Sequence, residues 1–129
     1  MDLKSKIILI SGPTASGKSK FAIQLAKKIN GEVINADSMQ IFKELKILTA
    51  RPDRNDLKKI THHLYGFKSV KDNYSTGNWL NDAKKKINNI KKKNKIPILV
   101  GGTGLYFKAL IDGIVKFPDI PLIFRNRIR

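Results

Sequence analysis

The chain has no cysteine, a single tryptophan, and only ten acidic residues among its 129. The missing thiols exclude disulfides and thiolate metal sites, and they suit a reducing, cytoplasmic setting. No apolar run approaches the roughly 20 residues that a membrane span requires, so no membrane contact is expected. The first apolar stretch stops early at Gly12-Pro13, with no small-residue cleavage pattern behind it. It therefore reads as a buried strand over Ile7 to Ile10 and not as a signal peptide. The shortage of acidic residues sets 10 against 26 basic ones, a formal net charge of +16. A surplus of that size attracts polyanions, RNA being the obvious candidate. An AT-rich genome that supplies lysine to solvated faces would give the same number, so charge alone leaves both explanations open.

What the sequence does have is 41% hydrophobic residues and enough length for one compact core. Ile7 to Ile10 is followed by a Gly/Ser/Thr loop, then by Phe21, Ala22, Leu25, Ala26 and Ile29 at helical spacing. Asn30-Gly31 forms a helix stop, and Glu32 to Ala36 reads as a second strand ending at Asp37. Between Ser38 and Asn73 the periodicity is weak, so loops with short helical pieces are expected. Leu80, Ala83, Ile87 and Ile90 mark one stripe of an amphipathic helix over Thr76 to Asn94, with lysines over most of the remainder. Trp79, beside that stripe, reads as core and not as a base-stacking platform. A third strand follows at Ile96 to Val100, where Pro97 must sit near the strand start or at an edge. Leu105 to Ile111 is a further helix, stopped by Asp112-Gly113, and Phe117 to Pro121 is irregular. Strands alternating with helices predict an α/β fold with a mainly parallel sheet covered on both faces.

Gly12-Pro13-Thr14-Ala15-Ser16-Gly17-Lys18-Ser19 fits the phosphate-binding pattern G-x-x-x-x-G-K-[ST], with a strand before it and a helix after. The glycines let successive N–H groups converge on phosphate oxygens, and the helix start adds the positive end of its dipole. Lys18 supplies a mobile charge, and the Ser19 hydroxyl is placed to ligate magnesium. Asp37-Ser38 ends the second strand, at the carboxyl edge where open α/β sheets bind ligands. Its carboxylate could take a proton or hold magnesium, or it could merely cap a helix. Thr103, in the Gly101-Gly102-Thr103-Gly104 turn, falls at the same edge, where its hydroxyl could orient that carboxylate or serve only the turn. His62-His63 could suggest a metal, but neighbouring strand residues point apart and a third ligand is missing, so both read as structural. Phosphate binding of this kind admits hydrolysis of ATP, phosphoryl transfer to a small acceptor, or displacement of pyrophosphate from an allylic donor.

Beyond the phosphate loop, Asp37-Ser38-Met39-Gln40-Ile41, Thr49-Ala50-Arg51-Pro52, His62-His63-Leu64, Tyr74-Ser75 and Gly101 to Leu110 resemble, in order and spacing, the tRNA dimethylallyltransferases. The resemblance covers nearly the whole chain and implies a P-loop NTPase-like core. It implies transfer of a dimethylallyl group from its diphosphate to N6 of the adenosine 3′ of the anticodon, with Mg2+ as cofactor and ATP as a further ligand suggested by the motif. Carried over, residues 12–19 hold the diphosphate, Asp37 is the general base and Thr103 supports it. Asp37, Ser38, Met39, Gln40, Thr103 and Arg125 contact the tRNA. A flipped-out adenosine fits this scheme, since a stacked base could not reach a buried donor. Lysines such as Lys84 to Lys86 would position the RNA by its phosphates.

The sequence departs from the family at Phe42, where a tyrosine is usual, and at Leu48, where a glycine is usual. Family members are also longer. The implied organisation is a partial core over 1–116 and the start of a helical tRNA-binding insertion over 117–129. A sheet with an open edge, a monomer of low stability and little or no catalysis by this chain alone are the corresponding expectations. A P-loop kinase acting on a nucleoside or other small molecule with ATP, and a non-catalytic phosphate- or RNA-binding remnant, are the alternatives.

Overall fold

A computed structural model describes residues 6–12, 17–44, 60–102, 104–114 and 122–125, with the backbone alone for 114 and 122–125. Five strands, β1 (Ile7–Ser11), β2 (Gly31–Asn35), β3 (His62–His63), β4 (Ile96–Gly101) and β5 (Leu122–Arg125), form one sheet in the order β3-β2-β4-β1-β5. Every neighbouring pair is parallel. The helices are α1 (Lys18–Ile29), α2 (Thr76–Lys92) and α3 (Gly104–Ile114), with a 3-10 turn at Ser38–Gln40.

Two apolar layers hold the sheet. Ile8, Ile10, Val33, Ile98 and Val100 pack with Ala22 and Ala26 of α1 on one face. Ile7, Leu9, Ile34 and Leu99 meet Trp79, Ala83, Ile87 and Ile90 of α2, and Tyr106, Phe107 and Leu110 of α3, on the other. Continuous apolar runs such as Ile7 to Ile10 are what a strand buried on both faces requires, each large side chain contributing about 1.5–3 kcal/mol. The helical stripe of α2 lands as the spacing predicts, and the Trp79 ring lies wholly in the core. Ser75 caps α2 by accepting from the Asn78 N–H at 3.1 Å. Asn30 ends α1 in the left-handed conformation at φ 58°.

Pro97 occupies a central strand, at its second residue. The ladder with β1 starts one position later, at Ile8 opposite Ile98, so no bond to β1 is lost where the proline has no N–H.

Three features differ from the sequence reading. Strand β3 lies inside the segment expected to be loops and short helices, because His62 and His63 pair with Val33 and Ile34 at the outer side of β2. Helix α3 runs through Asp112-Gly113 to Ile114. The bare Gly113 Cα fits against the Lys84 and Leu80 side chains of α2, and this packing outweighs the weak helix propensity of glycine. Leu122–Arg125 is a strand beside β1, where the start of a helical insertion was expected. An uncovered β1 would present unpaired N–H and C=O groups, and Leu-Ile-Phe-Arg is a sequence suited to satisfying them. Among the described residues the edges of the sheet are therefore β3 and β5. The Thr49 to Pro52 segment, Leu48 and Phe117 to Pro121 fall outside the described residues.

Candidate active site

Strands β1, β2 and β4 end level. Ser11 is opposite Gly101, and Asn35 is opposite Val100. Helix α1 leaves the end of β1 on one face of the sheet, and α3 follows β4 on the other. The carboxyl ends of β1 and β4 thus flank the crevice that a doubly wound sheet opens at its switch point. Two glycines let the strand ends close on one another. A Cβ at Gly101 would overlap the Ala36 carbonyl beyond β2, and one at Gly102 would come within 2.9 Å of the Gly12 carbonyl beyond β1.

Gly17 has φ 82°, a left-handed conformation natural to glycine, and its carbonyl accepts from Phe21 N–H at 3.1 Å as the first bond of α1. Lys18 is buried although it carries a charge, while Ser19 is half-buried on the same turn. Burial lowers the Lys18 pKa, and the negative charge of Asp37 works in the opposite direction. The structure therefore brings the end of the P-loop and the end of β2 within electrostatic reach. No acidic residue occupies the first turn of α1, leaving its helix-dipole field for an anion. Pro13 to Ser16 lie outside the described residues.

Asp37 is 6% exposed and held on all sides. Its Oδ1 accepts from Met39 N–H at 2.9 Å and its Oδ2 from the Gln40 amide at 3.3 Å. Its own N–H donates to Asn35 Oδ1 at 2.9 Å, and Asn35 Nδ2 donates to the carbonyls of Asp37 and Leu64, both at 3.0 Å. Trp79 Nε1–H fixes Asn35 from below, donating to its carbonyl at 2.8 Å. Both carboxylate oxygens accept hydrogen bonds. The cap reading of Asp37 and the base reading are compatible, since the Met39 bond uses one lone pair of four.

Gln40 is buried, and because its Nε2 donates to the carboxylate, its Oε1 is left without a partner among the described residues. An acceptor of that kind beside a carboxylate suits a ligand with an N–H pair. Ser38 is half-buried and Met39 is 52% exposed at the same turn. Tyr106, stacked on Trp79 with ring centroids 4.4 Å apart, has its pKa raised by burial and by the Asp37 charge, which keeps its hydroxyl neutral. Tyr65 is held neutral in the same way. Thr103, between Gly102 and Gly104 in sequence, lies outside the described residues. Arg125 ends β5 opposite Ile10, which puts its backbone at the carboxyl side of β1.

The histidines are built into the fold. His63 Nε2 and Glu32 Oε1 are 2.7 Å apart, and His62 Nδ1 lies 2.7 Å from the Ile60 carbonyl. Glu32, 1% exposed, also meets Lys93 Nζ at 2.7 Å and Lys95 Nζ at 3.5 Å. Asn35 was not singled out by sequence reasoning. The available signal was an amide closing an apolar strand, Val33-Ile34-Asn35-Ala36, where burial obliges it to find partners.

A parallel sheet, a glycine-lysine-serine turn entering α1, and a buried carboxylate at the next strand end define an α/β protein of P-loop-like fold. A family model for IPP transferase matches residues 40–129. The chain belongs to the IPP transferase family. It is 67% identical over 129 residues to a tRNA dimethylallyltransferase of Pelagibacter ubique, covering 100% of this chain and 41% of that relative. A tRNA dimethylallyltransferase of Rhizobium rhizogenes is 51% identical over 95% of this chain and 41% of its own length. Among solved structures, a full-length tRNA isopentenylpyrophosphate transferase from Bacillus halodurans superimposes with a TM-score of 0.80 at 39% identity, over 84% of this chain and 36% of that one. A eukaryotic dimethylallyltransferase acting on tRNA gives 0.77 at 40% identity, over 81% of this chain and 26% of that one. The chain thus spans less than half the length of these relatives.

Proposed function

We propose that this chain carries the donor-diphosphate and acceptor-base part of a tRNA dimethylallyltransferase. The observation that supports this reading best is the buried Asp37 carboxylate, braced by Asn35, Met39 and Gln40 within electrostatic reach of the P-loop lysine. Dimethylallyl diphosphate lies with its phosphates against residues 12–19 and Lys18. The N6 amine of the adenosine 3′ of the anticodon faces Asp37. A bond forms between N6 and the allylic carbon as the bond from that carbon to the diphosphate oxygen breaks; the diphosphate leaves, and the N6 proton passes to Asp37. The second N–H of the amine donates to the unpartnered Oε1 of Gln40. Ser38 and Met39 line the same adenosine, and Thr103 and Arg125 complete the contacts to tRNA.

Magnesium fits this donor set. The half-buried Ser19 hydroxyl in the acid-free first turn of α1 would hold it together with the diphosphate oxygens. Its contribution when bound is to neutralise charge that develops on the leaving group. The motif also admits ATP at this loop. The reaction belongs to the cytoplasm, where the tRNA acceptor is found.

The test offers labelled dimethylallyl diphosphate with unmodified tRNA, and in parallel ATP with small acceptors. Label transferred to the adenosine supports the reading. ATP turnover with no prenyl transfer overturns it in favour of a kinase.

A further inference from the structure

A cavity of about 440 Å³ lies between β3 and α2, apart from the phosphate loop. Leu64 and Phe67 form one wall and Asp82, Lys85 and Lys86 the other. Asp82 accepts the Tyr74 hydroxyl at 2.7 Å. Neither lysine forms a salt bridge among the described residues, in a chain of net charge +16. Phe67 is a large apolar side chain left 40% exposed at this cavity. Its ring meets Tyr74 edge to face at 5.5 Å, and the Lys68 ammonium stands 5.8 Å from the Phe67 centroid and 5.7 Å from that of Tyr74. An exposed aromatic ring with cations around it is the combination that holds a single-stranded nucleotide, base on ring and phosphate on ammonium.

The cavity is tied directly to the active-site turn. The Leu64 carbonyl accepts from Asn35, which holds Asp37, and Phe67 N–H donates to the Ile41 carbonyl at 2.9 Å. The loop that carries Phe67 and the turn that carries Asp37 are thus joined by hydrogen bonds. The volume lies within the range of small-ligand pockets.

We infer that this cavity binds a nucleotide neighbouring the reacting adenosine, with its base stacked on Phe67 and its backbone phosphate between Lys85 and Lys86. The inference rests on the RNA-acceptor reading above, but its test does not depend on prenyl transfer. The chain is titrated into a fluorescein-labelled anticodon stem-loop RNA over a series of KCl concentrations, read by anisotropy. Phe67→Ala weakens binding about tenfold or more at every salt concentration, and Phe67→Trp restores it. The double variant Lys85→Gln/Lys86→Gln flattens the slope of log affinity against log salt by about 0.7, the value for one phosphate on a single strand. Lys27→Gln/Lys28→Gln, at exposed positions in the last turn of α1, is the control for net charge. Thermal melts verify that each variant is folded.

Cavity variants indistinguishable from the control overturn the inference and leave the prenyl-transfer reading standing. A parent chain that does not bind the RNA overturns it too, as does poly-glutamate competing as well as RNA, which would point to an acidic protein partner. Losses at Phe67 and the lysines in a chain that turns over ATP and transfers no prenyl group would uphold the cavity and sink the transferase reading.

Discussion

Replacing Asn35 by alanine removes the brace of the candidate base without touching the base itself. The side chain supplies three hydrogen bonds of 2.9–3.0 Å to the Asp37 N–H and to the Asp37 and Leu64 carbonyls. Asn35 is wholly buried, Asp37 is 6% exposed and Leu64 8%, so the orphaned groups have little access to water. Each unsatisfied buried group costs about 1–3 kcal/mol. A water entering the small polar void would recover part of this, leaving a loss of about 3–4 kcal/mol. Against a typical total of about 5–15 kcal/mol that is a large share. The single tryptophan, Trp79, is buried and bonded to Asn35 itself, so its emission reports unfolding from the affected region. Urea titrations of Asn35→Ala should show a lower midpoint with the same denaturant slope. A loss below about 1 kcal/mol would refute the idea that Asn35 holds the turn in place.

Other outcomes follow from neighbouring features. Burial pushes the Glu32 pKa up, but hydrogen bonds and charge from Lys93 and His63 outweigh it and hold the carboxyl below its ordinary 4.5. Its stabilising contribution is therefore complete above that pH and is lost as pH falls through the lower folded value. Glu32→Gln should cost about 1–2 kcal/mol at neutral pH, because the lysines it releases are already partly solvated, and should flatten the acid limb of a stability–pH curve. An unchanged acid limb would show that Glu32 does not govern it. Gly101→Ala should cost at least about 2 kcal/mol, since its Cβ meets the backbone carbonyl of Ala36 and not a side chain that can move away. A melt within a degree or two of the parent would contradict the convergence of strand ends drawn here.

Much of this architecture was legible in the sequence because it rests on periodicity. The runs at Ile7 to Ile10 and Ile96 to Val100 are apolar without alternation because both faces of the sheet are covered, and α2 carries its stripe where the spacing put it. What escaped was structure that depends on distant partners. His62-His63 is too short to look like a strand and becomes one only because β2 has an open side. Leu122–Arg125 lies far in sequence from β1, whose outer side it completes. Gly113 remains helical because α2 fills the space beside it. At the site, Lys18 and Asp37 were identifiable from motif and strand end. The bracing by Asn35 and Trp79 was not, because residues 44 positions apart meet only through the packing of α2 on the sheet.

The central claim is that Asp37 takes the proton of an acceptor amine while the phosphate loop independently holds the donor. Single-turnover prenyl transfer and dimethylallyl diphosphate binding, measured side by side for Asp37→Asn, test it most directly. The expected result is a fall in transfer rate of about 10²–10⁴-fold with donor affinity within a few-fold of the parent. Transfer at close to the parent rate would contradict the claim.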